Sequence, residues 1–200
     1  MKTIIFATKN KDKVKEIREI MSNINVNIIT MEEAGIDIDV IEDGQTFEEN
    51  ARKKAEEIMK ESGHIVMADD SGLEIDCFDK APGVYSARYL GENTPYEEKN
   101  AIILDKMKDI EDNKRSARFV CAIATAFPDG RATIITRDTM EGKIGRKAVG
   151  SGGFGYDPIF YPQGYQTSSA DISAKEKNAI SHRGKALRAM EKQIRKVLEK

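Results

Sequence analysis

Cysteine is scarce in this chain: Cys77 and Cys121 are the only two, and they lack CxxC spacing. Two such residues cannot build a disulfide framework or a cysteine-rich zinc centre. Both lie among strand-like residues, so we read them as buried, reduced thiols of a cytoplasmic protein. His64 and His182 are too few and too far apart for a histidine zinc site. Long apolar runs are missing as well. None approaches the roughly 18 residues that cross a bilayer, and the stretch after Lys2 stops at Thr8, short of a signal peptide. No membrane partner is expected. Neither sign of charge dominates, with 32 basic against 34 acidic residues, so the excess that a nucleic-acid backbone demands is lacking. A local basic pocket for a phosphorylated small molecule stays open. With no repeat, low-complexity tract or long linker, residues 1–200 read as a single domain able to bury a substantial core.

Thr3–Ala7 reads as a buried strand. It is followed by Thr8-Lys9-Asn10-Lys11-Asp12-Lys13 and then by Val14, Ile17, Ile20 and Met21 at helical spacing. A strand, a polar turn and a helix point backbone N–H groups and the helix dipole at an anion. The GxxxxGK[ST] phosphate loop is absent, so this turn is either a triphosphate clamp of another kind or a capped helix with solvated lysines. Val26–Thr30 reads as a second strand. Glu42-Asp43-Gly44 suits a hard cation or an ordinary turn. Thr46 with Glu49 forms a capping box for a helix running to about Glu61 and ending at Ser62-Gly63. Asn50 and Lys54 share a face of it, and read as solvated surface unless that face lines a cleft.

Ile65–Ala68 reads as a short buried strand that delivers Asp69 and Asp70 into a tight turn at Ser71-Gly72. That is where a metal or a general base sits in many α/β proteins, although Asp-Ser-Gly is also plain turn chemistry. Thr94-Pro95 reads as a cap and first residue of a helix. Arg118–Phe127 and Ala132–Arg137, around the turn at Pro128–Arg131, read as a central hairpin, so the sheet is not purely parallel. In Gly150–Pro158, glycine alternates with aromatics. Phe154 and Tyr156 are candidates to stack on a planar base, with Asp157 accepting from its edge. Ser173–Lys200 reads as helical, with Lys175, Lys177, Ser181, His182 and Arg183 near its start, a basic set suited to phosphate or a purine carbonyl.

In this order, TKNKDK, ADDSGL, APGVYSARY, GGFGYDPIF and SHRGKAL resemble the inosine triphosphate pyrophosphatase family, the Ham1-like XTP/dITP diphosphatases, from Ile4 to Leu187. The resemblance implies an elongated α/β mixed-sheet fold of two lobes with an active-site cleft between them, commonly a homodimer. It implies hydrolysis of ITP, dITP and XTP to the monophosphate and pyrophosphate, with Mg²⁺ as cofactor. Residue by residue it makes Thr8, Lys9, Asn10, Lys11, Asp12 and Lys13 the substrate-binding turn. Asp70 becomes metal ligand and proton acceptor with Asp69 in support, Glu42 the second metal ligand, and Ser71 a substrate contact. Lys54 faces the phosphates. Phe154, Gly155, Tyr156 and Asp157 bind the base, and Lys177, His182 and Arg183 surround base and phosphates. Two rival readings rest on the same acids: a phosphatase with an aspartyl nucleophile, and a nucleotide-binding module without turnover.

Overall fold

The computed structural model describes residues 2–22 and 25–198. Its elements are β1 (Lys2–Phe6), α1 (Lys11–Ile20), β2 (Val26–Thr30), α2 (Phe47–Ser62), β3 (Ile65–Ile75), α3 (Tyr96–Lys106), β4 (Ser116–Ala126), β5 (Ile134–Ile144), β6 (Phe160–Pro162), α4 (Ala174–Ile180) and α5 (His182–Leu198). The strands are hydrogen-bonded in the order β2-β1-β3-β4-β5-β6. β1 runs parallel to both β2 and β3, and β6 antiparallel to β5. The fold is therefore α/β with a mixed sheet.

The chain forms two compact units. The first comprises residues 1–70, 121–138 and 183–200, and the second residues 71–120 and 139–182. The long strands β3, β4 and β5 each pass from one unit to the other along their length.

In the first unit the apolar positions of β1 alternate. Ile4 and Phe6 join Ile17 and Met21 of α1, Met67 of β3, Cys121 and Ile123 of β4, and Leu187, Met190 and Ile194 of α5 in one cluster. Ile5 between them is equally buried, as expected of a parallel strand covered on both faces. Each such side chain contributes about 1.5–3 kcal/mol on burial. The second unit packs Leu73 and Ile75 of β3 with Ile103 and Met107 of α3, Phe119 of β4, Ile144 of β5, and Tyr156, Ile159 and Phe160.

The α2 capping box is present as expected, with Thr46 Oγ accepting from the Glu49 N–H and Gly63 ending the helix in the left-handed region. Four expectations fail. β3 does not stop at Ala68 but continues for eleven residues to Ile75, so Asp69, Asp70, Ser71 and Gly72 are strand residues and not a turn. Burial of this segment overrides its turn propensity. The C-terminal helix is two helices, because Ser181 is extended (ψ 153°) between α4 and α5, and the expected last residues 199–200 lie outside the described residues. α3 starts at Tyr96 with Pro95 as its cap, while the Thr94 hydroxyl donates to the Leu90 carbonyl instead of capping. Cys77 is exposed, and only Cys121 is buried, its thiol pushed up to about 12 by burial and the nearby Asp69 charge.

Candidate active site

Side chains alternate across a strand, so Asp69 and Asp70 leave β3 on opposite faces. Their partners differ accordingly. Asp69 meets the helices on the Met67 side: Lys13 of α1 at 3.0 Å and Arg183 of α5 at 3.4 Å. Arg183 in turn is ion-paired with Glu16 of α1. Burial alone would raise the Asp69 pKa, but Lys13, Arg183 and Lys54 outweigh it and hold the carboxyl below the usual carboxylate range. Asp69 is thus a fixed anion. Its Oδ1 is buried without a hydrogen-bond partner among the described residues.

Asp70 faces α2. Asn50 Nδ2 donates to its Oδ2 at 3.0 Å, and Lys54, one turn further along α2, binds Glu42 Oε1 at 2.5 Å. Burial and the Glu42 charge raise the Asp70 carboxyl to about 6, against the opposing pull of Lys54 and Asn50. Lys54 is itself raised: burial would lower it, but Asp69 and Glu42 outweigh that. Adjacent in sequence, the two acids have opposite electrostatic fates. One is a permanent charge and the other a base poised near neutrality.

The turn before α1 forms as the polar run suggested. Asn10 caps the helix, its Oδ1 accepting from the N–H groups of Asp12 and Lys13 at 2.9 and 3.2 Å, and Thr8 Oγ accepts from the Asn10 N–H. Asp12 is exposed in the first turn of α1. Lys9 points to Asp39 at 2.8 Å on the surface, and the side chain of Lys11 lies outside the described residues. The first unit therefore brings together Lys13, Asp69, Arg183, Asp70, Lys54 and Glu42 from separate segments of the chain.

Divalent cations with oxygen ligands fit this set in one respect. The Glu42 charge raises the proton affinity of Asp70, and Asp69 presents a buried oxygen unsatisfied among the described residues, so added positive charge is favourable here. No cluster of three or more His, Cys, Asp or Glu stands ready as a cage among the described residues. That suits a small cation held by one or two carboxylates and completed by water and phosphate oxygens.

The remaining predicted residues lie in the second unit, apart from Arg183. Asp157 accepts from Lys177 Nζ and Ser169 Oγ, both at 2.7 Å, and from the Phe154 N–H at 2.8 Å. Its carboxylate ties the loop to Lys177 and Ser169. Tyr156 is 3% exposed, its hydroxyl donates to the Ser86 carbonyl at 2.7 Å, and its ring sits edge-on to Tyr96. It is a core residue and offers no free face. Gly150, Gly152 and Gly153 approach their own chain closely. A Cβ on Gly150 would lie 2.6 Å from the Ala170 carbonyl group. Gly155 gives its carbonyl to Asn100 Nδ2 at 3.1 Å. Phe154, half-buried under Lys177 Nζ at 5.1 Å, is the aromatic with a face to offer. His182 is 6% exposed and stacks on Phe119 with centroids 5.0 Å apart. Ser71 is half-buried in β3.

Read alone, Asn50 and Lys54 look like solvated surface unless their shared face lines a cleft; Asn50 is 0% exposed, and Lys54 is half-buried against Glu42. Their i,i+4 spacing is the available signal. Glu16 carries none, being one of several acids on an exposed-looking helix.

The Ham1 family model matches residues 4–193. The dITP/XTP pyrophosphatase of Clostridium perfringens is 47% identical over the whole of both chains. The protein of the same name from Bacillus cereus is 44% identical over 97% of this chain and 95% of its own. Among solved structures, a HAM1 protein from Coxiella burnetii superposes with a TM-score of 0.89 at 38% identity, covering 98% of this chain and all of the other. A nucleoside-triphosphatase / dITP/XTP pyrophosphatase from Mycobacterium abscessus gives 0.76 at 36% identity, over 94% and 98%. With so strong a match along nearly every residue, the chain belongs to the Ham1 family.

Proposed function

We propose that this chain hydrolyses the non-canonical purine nucleoside triphosphates ITP, dITP and XTP to the monophosphate and pyrophosphate, with Mg²⁺ as cofactor, and so keeps them out of DNA and RNA. The observation that carries the reading is Asp70, a buried carboxylate raised to about 6 beside Glu42 and Lys54. A base of that strength is ionised at neutral pH yet takes a proton readily, and such bases contribute roughly 10²–10⁴-fold. The names of the relatives, dITP/XTP pyrophosphatase, point to the same reaction.

In the proposed step water attacks the α-phosphorus. Asp70 accepts its proton, the new P–O bond forms as the α–β bridging bond breaks, and pyrophosphate leaves. Lys13 and Lys54, with the positive end of the α1 dipole, offset charge on the phosphates, which is most of what phosphoryl transfer requires. Glu42 and Asp70 would hold Mg²⁺, which when bound neutralises phosphate charge and acidifies the attacking water. Asp69 keeps Lys13 and Arg183 in place. For the base we assign Phe154 to stacking, with Lys177 and His182 beside it. A donor there that matches a 6-oxo group mismatches adenine, and such buried mismatches discriminate strongly.

Incubation with dITP and Mg²⁺, followed by separation of pyrophosphate from orthophosphate, tests the reading. Pyrophosphate release, fast for dITP, ITP and XTP and slow for ATP and GTP, is expected. Orthophosphate, no turnover, or equal rates on all five would overturn it. We further propose that the chain acts in the cytoplasm as a homodimer, with the exposed Tyr85 in the segment 81–89 at the contact. Light scattering at the mass of one 22.3 kDa chain would refute the dimer.

A further inference from the structure

Asn50 is polar and fully buried in the first turn of α2. Its amide is bonded at both ends. Oδ1 accepts from the Gly44 N–H at 2.8 Å and Nδ2 donates to Asp70 Oδ2 at 3.0 Å. An N–H can only donate, so the Gly44 bond fixes which end of the amide is oxygen and turns the donor toward Asp70. Gly44 lies two residues after Glu42, and Lys54, one turn beyond Asn50 on α2, holds Glu42 itself. Absence of a side chain at Gly44 makes this possible: a Cβ there would stand 2.7 Å from Asn50 Oδ1 and 2.8 Å from Glu49 Cβ.

We infer that Asn50 and Gly44 form a positioning device that fixes the Asp70 carboxylate relative to the segment carrying Glu42. The inference rests on the reading of Asp70 and Glu42 given above. Asn50 touches neither water nor phosphate in this role; it acts through Asp70. Without it Asp70 loses a donor to Oδ2, and the segment 42–44 loses the bond from the Gly44 N–H, leaving it tied to α2 through the ion pairs of Asp43 with Lys53 and of Glu42 with Lys54. Partners that orient ligating carboxylates typically matter about 10–100-fold in activity or metal affinity.

The test uses three variants of the full chain. Asn50→Leu removes both bonds at similar volume. Gly44→Ala leaves Asn50 in the sequence but pushes its amide aside. Thr46→Ala breaks the α2 capping box without touching Asn50, and serves as the stability control. Two readouts are taken: kcat and KM for dITP by pyrophosphate release, and Mn²⁺ affinity without nucleotide by electron paramagnetic resonance.

Asn50→Leu and Gly44→Ala are each expected to lower kcat by about 10–100-fold with KM within about 3-fold, and to weaken Mn²⁺ binding by about 10-fold or more. Because both act on one hydrogen-bonded amide, the double variant is expected to be no worse than Asn50→Leu alone. Thr46→Ala is expected to melt earlier with kcat within about 2-fold of wild type. Full additivity in the double variant, unchanged kcat and Mn²⁺ affinity, or the same kcat loss in Thr46→Ala would overturn the inference. Should Asn50→Leu fail to fold, Gly44→Ala decides alone by the same measurements. Wild-type protein that releases no pyrophosphate would refute the proposed function, and the Mn²⁺ affinities would still decide the positioning role.

Discussion

Replacing Asp70 by asparagine separates what the residue does for chemistry from what it costs the fold. In metal-free protein the folded-state pKa of Asp70 is about 6, raised from an ordinary 3.8 by burial and the Glu42 charge. A raised carboxyl destabilises at high pH. Below pH 4 both states are protonated and stability is complete. Between about 4 and 6 the unfolded chain ionises while the folded one holds its proton, and stability falls; above 6 the loss levels off. Roughly two pKa units correspond to about 3 kcal/mol. The substituted amide is neutral at every pH, and its oxygen still accepts from Asn50. Its own amide hydrogens need partners, which reduces the net gain to about 2 kcal/mol. For a chain of this length that is about 4–8 °C in Tm. Calorimetry in EDTA should therefore show Asp70→Asn melting above wild type at pH 8, with the gap closing as pH falls through 6 and gone by about 4. Pyrophosphate release should drop by at least about 100-fold in the same variant. A variant no more stable than wild type at pH 8, or a gap that ignores pH, would refute the electrostatic account of this residue.

Mg²⁺ should raise the Tm of wild type at pH 8 but not that of Asp70→Asn, and EDTA should abolish turnover; equal shifts in both proteins would count against Asp70 as a ligand. Lys13→Met removes the nearest of the cations that hold Asp69 down. A depressed carboxyl stabilises above its ordinary pKa and loses this as pH falls through its folded value. The variant raises that folded value, so acid unfolding should begin at higher pH, with kcat also reduced; an unshifted acid limb would contradict the pairing. Tyr156→Phe leaves the Ser86 carbonyl without its 2.7 Å donor. It should cost about 1–2 kcal/mol in urea unfolding while kcat and KM for dITP stay within about 2-fold; a KM change beyond about 10-fold would mark Tyr156 as a base contact.

Most elements are legible from periodicity because their apolar stripes are clean. The β1 alternation, the α2 stripe with its capping box and the β-rich run of β4 all fold where local pattern and burial agree. Buried polar residues are the harder part, because such residues look exposed in a sequence. Asn50, Asp69, Asp157, Lys177 and Arg183 are all buried, each within hydrogen bonds or ion pairs to distant parts of the chain. Such partners carry no local signature. Asp157 binds Lys177 twenty residues away, and Arg183 binds Glu16 across 167 positions. Nothing in a window of about ten residues distinguishes these from solvated charges.

The acid doublet is a case where local rules contain more than turn propensity reveals. Reading Ser71-Gly72 as a turn ends the period-two count at Ala68, and the two carboxylates then look like neighbours in one site. Carried on to Ile75, the same alternation places Met67, Asp69, Leu73 and Ile75 on one face, and Leu73 and Ile75 are core residues. Asp69 therefore has to be buried with cations around it, or neutral. Asp70, on the other face with Ala68, has to answer to whatever helix covers that side. The helix between β2 and β3 is α2, and its polar i,i+4 pair is Asn50 and Lys54. A strand that buries two adjacent acids on opposite faces must satisfy each separately. That requirement accounts for Lys13 and Arg183 on one side, and for Asn50, with Lys54 and Glu42 nearby, on the other.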